Sequence, residues 1–258
     1  MTKTTGKNIQ LGLCCLLSLM MIAGCAGMKK KKDQAKKIRN LGEAYMMEGN
    51  LSQAYVQLEK ARQLNPKDPH IYFDLGIFFY RKEKLDKAVA NYKKAIDLKP
   101  DFATAINNLG VVYMEQKKWD QAIDTLSPIT EHFAYATPHF PHYLIGQAYY
   151  HKQQYEKAIY HLQKALSLEP TYVFARYWLG TVYLVAGETN QAIKTLEKAV
   201  EQVPQAAAFH LELGRAYQQA GHFKNAQNAF AQAAALATDE TLKKEALQLK
   251  RLAEEKQG

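Results

Sequence analysis

The sequence contains few cysteines and lacks the common motifs of catalysis. Its three cysteines are Cys14, Cys15 and Cys25, so residues 26–258 cannot form a disulfide among themselves. There is no Gly-rich phosphate-binding loop, no GxSxG nucleophile motif and no HExxH metal-binding motif. No pair of carboxylates is placed for general acid and base roles. We therefore expect a binding protein without enzymatic activity and without a cofactor.

Glycine is also sparse, yet six of the 14 glycines recur at a nearly constant interval. Each of the six follows a leucine or an isoleucine, and the successive steps are 34, 34, 36, 34 and 34 residues. These glycines are Gly42, Gly76, Gly110, Gly146, Gly180 and Gly214. Such an interval is typical of units of two short helices, which stack because one unit alone cannot bury its apolar face.

Other residue types recur in register when each of these glycines is numbered as position 8 of its repeat. Alanine occupies position 20, a large apolar residue occupies position 24, and proline occupies position 32 in four repeats. Position 11 is always aromatic: Tyr45, Phe79, Tyr113, Tyr149, Tyr183 and Tyr217. The pattern resembles the tetratricopeptide repeat, which implies an all-α solenoid of helix pairs, A and B, with a protein-binding groove.

The register predicts six repeats and a C-terminal capping helix, at 35–68, 69–102, 103–138, 139–172, 173–206, 207–240 and 241–258. Small residues at positions 8 and 20 predict a close approach of helices A and B. Side chains at positions 11 and 24 are expected to fill the space between successive repeats.

The ends of the helices can also be predicted. Helix A is expected to end near position 15, where three repeats have a glycine that can adopt a left-handed conformation. Glu83, Lys117 and Gln153 occupy this position in the other three repeats, so their turns are expected to be costlier. Pro128, inside helix B of the third repeat, predicts a shortened or kinked helix.

Residues 1–24 have the features of a secretory signal peptide. Lys3 and Lys7 precede a stretch at 9–23 that carries no charge and is too short for a comfortable membrane span. The stretch leads into Ile-Ala-Gly-Cys25, which resembles the lipobox of bacterial lipoproteins. The resemblance implies that Cys25 is lipidated, as palmitate labelling would detect, and becomes the first residue of the mature chain. An uncleaved anchor is the alternative.

Residues 25–34 are expected to form a basic tether of at most about 30 Å when extended. Ala26 stands where an aspartate commonly retains bacterial lipoproteins in the inner membrane, so the resemblance implies the periplasmic face of the outer membrane. The lysines from Lys29 to Lys32 predict either attraction to anionic head groups or a solvated tether. They contribute much of the net charge of +9, so we do not expect nucleic-acid binding.

Helix A lines the concave groove of tetratricopeptide arrays, chiefly through positions 2, 5, 9, 12 and 13. Many of these positions are aromatic here, which suits peptide recognition because a rigid ring offers contact area with few torsions to freeze. The implied groove residues are Phe73, Tyr80, Arg81, Asn107, Met114, Phe140, Tyr143, Tyr150, His151, Phe174 and Tyr177. Alternatively, some of these rings fold between neighbouring helices and seal the groove.

Five of the eight histidines lie between residues 132 and 161. His139 and His142 are three residues apart, but a metal site needs three or four converging ligands. No cysteine and no HExxH pattern accompanies these histidines. We therefore predict that these histidines are polar residues of loops and of the groove, and that they do not bind a metal.

The third repeat resembles a narrower family. It reads NNLG at 107–110 and YMEQKKW at 113–119, and a longer, proline-bearing connection precedes Gly146. Together with Cys25 and six repeats, these features resemble the type IV pilus biogenesis lipoproteins of the PilF, PilW and Tgl group. The resemblance implies a pilotin, which binds secretin subunits and promotes their insertion and multimerisation. The alternative is a general envelope scaffold that recruits peptidoglycan enzymes or outer-membrane assembly factors.

The predicted lipid anchor can be tested by replacing Cys25. We expect Cys25→Ser to give a folded protein that no longer incorporates radiolabelled palmitate, because the acylated thiol is gone. Metabolic labelling and immunoprecipitation measure this. The matched control is Cys14→Ser, which should label like the wild type, and persistent labelling of Cys25→Ser would refute the lipobox interpretation.

Overall fold

The structure, a computed structural model, describes residues 27–130 and 137–256. Cys25, the predicted signal peptide and His132 lie outside these residues. Helices joined by short turns make up the described chain, which confirms the predicted all-α repeat fold. Within the described chain, no helix is long and apolar enough to cross a membrane. The chain divides into two compact units, one up to Ala105 and one from Ile106 onward.

Unit 1 contains two helix pairs. Its helices are α1 at 27–47, α2 at Leu51–Leu64, α3 at Pro69–Arg81 and α4 at Leu85–Leu98. α2 packs against α3, and α3 packs against α4. The main core consists of small and large apolar side chains from α1, α2 and α3: Ala35, Met46, Ala54, Leu58, Ala61, Ile71, Leu75 and Phe78.

Unit 2 contains most of α5 and all of the later helices. The helices are α5 at Ala103–Glu115, α6 at Trp119–Leu126, α7 at His139–His151, α8 at Tyr155–Leu168, α9 at Val173–Val185, α10 at Thr189–Gln202, α11 at Ala207–Gln219, α12 at Phe223–Leu236 and α13 at Glu240–Glu255. Consecutive helices from α6 to α13 pack on one another. In addition, α7 contacts α9, α9 contacts α11, and α11 contacts α13. The A helices of successive repeats in unit 2 therefore lie side by side.

Each position-8 glycine leaves a hollow that the side chain at position 24 of the same repeat fills. A Cβ atom added to Gly110 would lie 2.5 Å from Leu126 Cγ, and one added to Gly214 would lie 2.5 Å from Phe230 Cε1. Leu126 and Phe230 are fully buried. The close approach of helices A and B is thus confirmed, but position 24 mainly fills its own helix pair rather than only the space between repeats.

The aromatic side chain at position 11 reaches the preceding repeat, as predicted. The Tyr183 hydroxyl accepts a hydrogen bond from Gln163 Nε2 at 2.8 Å, and the Tyr217 hydroxyl donates to Glu197 Oε1 at 2.5 Å. Both partners lie on helix B of the repeat before. Position 11 therefore holds neighbouring repeats together.

The turn between helices A and B has the same form in all six repeats. Position 15 has a positive φ whether it is glycine or not, and φ is 55–59° at Glu83, Lys117 and Gln153. The next N–H donates to the position-11 carbonyl, for example from Lys118 to Tyr113 at 2.9 Å. A left-handed conformation costs about 1–2 kcal/mol in a residue with a Cβ, so these three turns are strained relative to the glycine turns.

The third repeat ends irregularly, as Pro128 predicted. Helix α6 has 8 residues, whereas the corresponding helix α8 has 14. A 3-10 turn at Ser127–Ile129 follows α6 and contains Pro128, which has no amide hydrogen to continue the helix. Residues 131–136 of the connection lie outside the described residues.

Residues 27–34, which belong to the segment expected to act as a tether, form the start of α1. Four of these eight residues are lysines, which favour helix, and the chain has no proline or glycine between Met28 and Leu41. Eight helical residues span about 12 Å. The segment continues directly into the buried Ala35.

The glycine hollow can be tested by filling it. We expect Gly110→Leu to lower the free energy of unfolding by ~1–3 kcal/mol or more, because the new side chain must displace Leu126. The matched control is Gly27→Leu, since a Cβ atom there meets nothing within 4 Å. Urea unfolding measures both variants, and equal stabilities would contradict the packing described above.

Candidate binding surface

The side-by-side A helices of unit 2 carry a first ring cluster formed by Phe140, Tyr143, Tyr172 and Phe174. The ring centroids are 5.8 Å apart for Phe140 and Tyr143, and 5.2 Å apart for Tyr143 and Tyr172. Phe174 lies 5.9 Å from Tyr172 and is 53% exposed. Gln147 Nε2 donates a hydrogen bond to the Tyr143 hydroxyl at 3.0 Å and helps to fix its ring. The cluster therefore presents one exposed ring on a base of partly buried ones.

A second ring cluster lies where α7 ends and consists of Trp119, Tyr150, His151 and Trp178. The exposed His151 ring stacks on Trp119 with centroids 4.3 Å apart and an interplanar angle of 10°. Tyr150 contacts Trp178 edge-on at 5.3 Å. Partial burial, with a smaller effect of Lys117, lowers the pKa of His151 and so disfavours the charged form of the stacked imidazole.

Buried charge lies beside these rings in α11. Glu212 is 8% exposed and accepts a hydrogen bond from Arg215 Nη1 at 2.9 Å, while Arg215 also pairs with Glu245 of α13. Burial raises the pKa of Glu212, and the charge of Arg215 opposes this. Tyr177 stacks on Phe209 at 4.6 Å, and burial followed by Glu212 raises its pKa to about 12. Its hydroxyl therefore stays protonated.

Asn107 of α5 also lies at a predicted groove position. The residue is 7% exposed, and its Oδ1 has no hydrogen-bond partner among the described residues. A buried amide oxygen without a donor costs about 1–3 kcal/mol, which a partner N–H could recover. Met114, on the same helix, is half-buried.

The predicted groove residues of unit 1 make contacts within the protein. Phe73 lies 5.0 Å from Phe102 and 6.0 Å from Tyr92 by ring centroids, so its ring packs over the core of the unit. Arg81 donates to the Met46 carbonyl at 2.6 Å and ties α3 to α1. Tyr80 is half-buried. The half-buried Phe73 ring therefore covers part of the core of unit 1.

A charged cluster in unit 1 is likewise internal. Arg39 Nε lies 3.4 Å from Asp74 Oδ2 and 3.7 Å from Glu43 Oε1. Burial, with the help of Glu43, raises the pKa of Asp74 to about 8 although Arg39 acts in the opposite direction. Burial therefore favours the protonated form of Asp74 near neutral pH, and the side chains of Arg39 and Asp74 are 14% and 4% exposed.

The described histidines of the central region do not converge. His142 Nδ1 faces His161 Nδ1 at 3.0 Å, and burial followed by His142 lowers the pKa of His161 to about 4. His139 instead contacts Tyr172, with ring centroids 4.9 Å apart. Over 27–130 and 137–256, no group of three or more His, Cys, Asp or Glu side chains is placed to hold a metal ion.

Several residues of this surface are not among the predicted groove residues. Trp178 and Glu212 both occupy position 6, which is outside the usual set of groove positions, and Tyr172 precedes helix A. The sequence gives no signal here, because position 6 has no constant residue type and is Asn40, Asp74, Asn108 and Leu144 in the first four repeats. Arg215 occupies position 9, which is one of the usual groove positions, so the sequence register does predict it as a groove residue.

Comparison with known families identifies the repeats. A family model described as TPR repeat matches residues 78–117 and 146–187, and one described as tetratricopeptide repeat matches residues 186–248. Among curated proteins, none matches the sequence significantly.

Several solved structures share the fold. The structure of PilW, described as a widely conserved type IV pilus biogenesis factor, is 21% identical with a TM-score of 0.74, and the match covers 83% of this chain and 98% of that one. PilF of Pseudomonas aeruginosa is 20% identical with a TM-score of 0.71, covering 85% and 97%. MamA of Desulfovibrio magneticus RS-1 is 26% identical with a TM-score of 0.60, covering 66% and 95%.

Phe73 is packed against other rings and Phe174 is exposed, so replacing each of them tests which ring stabilises the fold. We expect Phe73→Ala to lower the free energy of unfolding by about 2–3 kcal/mol, because it removes a ring from the packing around Tyr92 and Phe102. Phe174→Ala should change it by less than about 1 kcal/mol, because that ring is largely exposed. Denaturant unfolding of both variants checks this, and the reverse order would contradict the assigned packing.

Proposed function

The chain belongs to the tetratricopeptide-repeat family of protein-binding scaffolds, and we propose that it acts as a pilotin in type IV pilus assembly. In this proposal it binds secretin subunits and promotes their insertion and multimerisation. It is held at the periplasmic face of the outer membrane by lipid on Cys25.

The observation that carries the binding role is the first ring cluster of unit 2. Phe174 is 53% exposed, and it rests against Tyr172, which rests against Tyr143. An exposed ring on a rigid base loses little conformational freedom when a partner covers it. Aromatic side chains presented in this way are frequent anchors of protein interfaces.

The charge beside the rings favours a particular kind of partner segment. Glu212 and Glu245 share the single guanidinium of Arg215, so the ionised group carries an excess negative charge. Burial raises the pKa values of Tyr150 and Tyr177, and the nearby charge of Glu212 raises them further. A segment that combines apolar side chains with a lysine or arginine would match both the rings and this charge.

The pilus assignment rests on the third-repeat pattern and on similarity over most of the chain. PilW and PilF each match more than four fifths of this chain and nearly all of their own length. MamA matches a smaller part. A scaffold for other envelope proteins would use the same surface. The identity of the bound partner therefore decides between the pilotin proposal and the general envelope scaffold.

Deletion of the gene tests the pilotin proposal. We expect heat-resistant secretin multimers to disappear from membrane fractions of the deletion strain and to return with the wild-type gene. Immunoblots of unboiled samples measure the multimers. Unchanged multimers in the deletion strain would exclude a pilotin role and favour the general scaffold.

Two exposed aromatic residues provide matched variants for the binding surface. Phe174 on α9 and Tyr160 on α8 are each 53% exposed, but only Phe174 lies on a helix A. In the complemented strain, we expect Phe174→Ala to reduce the secretin multimers severalfold and Tyr160→Ala to leave them unchanged. Equal effects of the two substitutions would contradict the proposed surface.

A further inference from the structure

The first three turns of α1 carry a concentrated positive charge. The chain has six lysines and one aspartate between residues 29 and 37, which amounts to +5 of the net +9. Residues 27–34 are all exposed, and burial begins at Ala35. In the part of the chain that the structure describes, none of these lysines forms an ion pair with a carboxylate. The segment therefore projects its charge into solvent.

An open cleft of about 570 Å³ lies between this segment and the loop that joins α2 to α3. Its apolar lining comes from Met28, which is 59% exposed, and from Leu64, Pro66 and Pro69. Three lysines, one aspartate and one asparagine complete the lining, namely Lys31, Lys32, Lys67, Asp68 and Asn65. The aspartate caps α3, because its Oδ1 accepts a hydrogen bond from the backbone N–H of His70. The cleft thus combines an apolar floor with a cationic rim.

We infer that this end of unit 1 docks on a membrane surface containing anionic phospholipid. The lysines bind lipid phosphates, while Met28 and the cleft receive the apolar part of a lipid beneath its head group. This contact depends neither on the identity of the protein partner nor on acylation of Cys25.

The apolar cleft is what separates this proposal from a solvated tether. Charge alone suffices to keep a tether or a terminal repeat in solution, and an exposed methionine beside an apolar floor adds nothing to that role. A combination of lysines with exposed apolar groups is instead typical of protein segments that bind the interface of anionic membranes.

The arrangement also favours a membrane over nucleic acid. Lys29 to Lys32 are consecutive in a helix, so at 100° per residue they point to all sides rather than along one stripe. A broad charged surface can contact lysines that point to different sides, and the apolar cleft beside them matches a lipid, which has an apolar part beneath its phosphate, better than a phosphate backbone.

A vesicle competition assay tests the inference. The full chain carrying Cys25→Ser is mixed with equal amounts of phosphatidylcholine vesicles and of vesicles with 30% phosphatidylglycerol, one population being sucrose-loaded for separation. Attraction of the apolar residues at 9–23 acts in both populations and cancels in the ratio. Since each lysine near an anionic surface contributes roughly fivefold to partition, we expect at least a tenfold preference for the anionic vesicles at low salt. The preference should collapse at 0.5 M salt because of screening.

Two lysine variants of equal charge locate the effect. Replacing Lys29, Lys30, Lys31 and Lys32 by glutamine should remove most of the preference. The matched control replaces four other exposed lysines of unit 1 by glutamine, namely Lys60, Lys82, Lys84 and Lys94, and should retain it. Met28→Gln should lower binding to anionic vesicles severalfold without changing the thermal melt. Equal distributions for the two lysine variants would overturn the inference.

Added competitors distinguish the sources of phosphate. Inorganic phosphate, at an ionic strength matched with chloride, should leave the vesicle preference unchanged. If inorganic phosphate abolished it, the site would bind a small free anion and the membrane proposal would be wrong. A chain that showed no vesicle preference but was retained by duplex DNA would likewise overturn it in favour of nucleic acid.

Discussion

The packing of one large side chain into the hollow above a glycine sets the geometry of the helix pairs. In the third repeat the pair is Gly110 and Leu126, and in the sixth it is Gly214 and Phe230. Because the glycine has no Cβ, helices A and B approach closely, and the position-24 side chain becomes fully buried. The position-11 ring is then free to reach the preceding repeat. In unit 2 this arrangement brings the A helices together and so creates a surface for binding.

Most of this architecture could be predicted from the sequence because it depends on residues that repeat. The left-handed turns follow from the residue at position 15 of each repeat, and the short α6 follows from one proline. Both causes are local and need no knowledge of neighbouring repeats. The contacts of the groove side chains could not be predicted in the same way. Phe73 and Phe174 occupy groove positions of equal standing, yet only the structure reveals that one ring packs on Phe102 while the other is exposed. Such differences depend on which neighbours a ring meets across repeats.

The sequence likewise does not predict the conformation of the N-terminal segment or the contacts of the charged residues on the binding surface. The run of lysines predicts positive charge but does not predict the conformation of the segment. In the structure the segment is helical from residue 27 and is continuous with the rest of α1. Glu212 is an ordinary acidic residue in the sequence. In the structure it is buried and accepts a hydrogen bond from Arg215, on α11, which packs beside the helix α9 that carries Tyr177. Each unit thus contributes a different surface, with rings in unit 2 and lysines beside an apolar cleft in unit 1.

The central claim is that the A helices of unit 2 hold a protein partner and that this partner is the secretin. Incorporation of a photo-crosslinking amino acid at residue 174 in living cells, with residue 160 as the reference position, tests it most directly. The account predicts a crosslinked species that reacts with antibodies to both proteins when the photoreactive group is at residue 174 and not when it is at residue 160. Crosslinks from residue 174 to a different envelope protein, or equal secretin crosslinks from both positions, would contradict it.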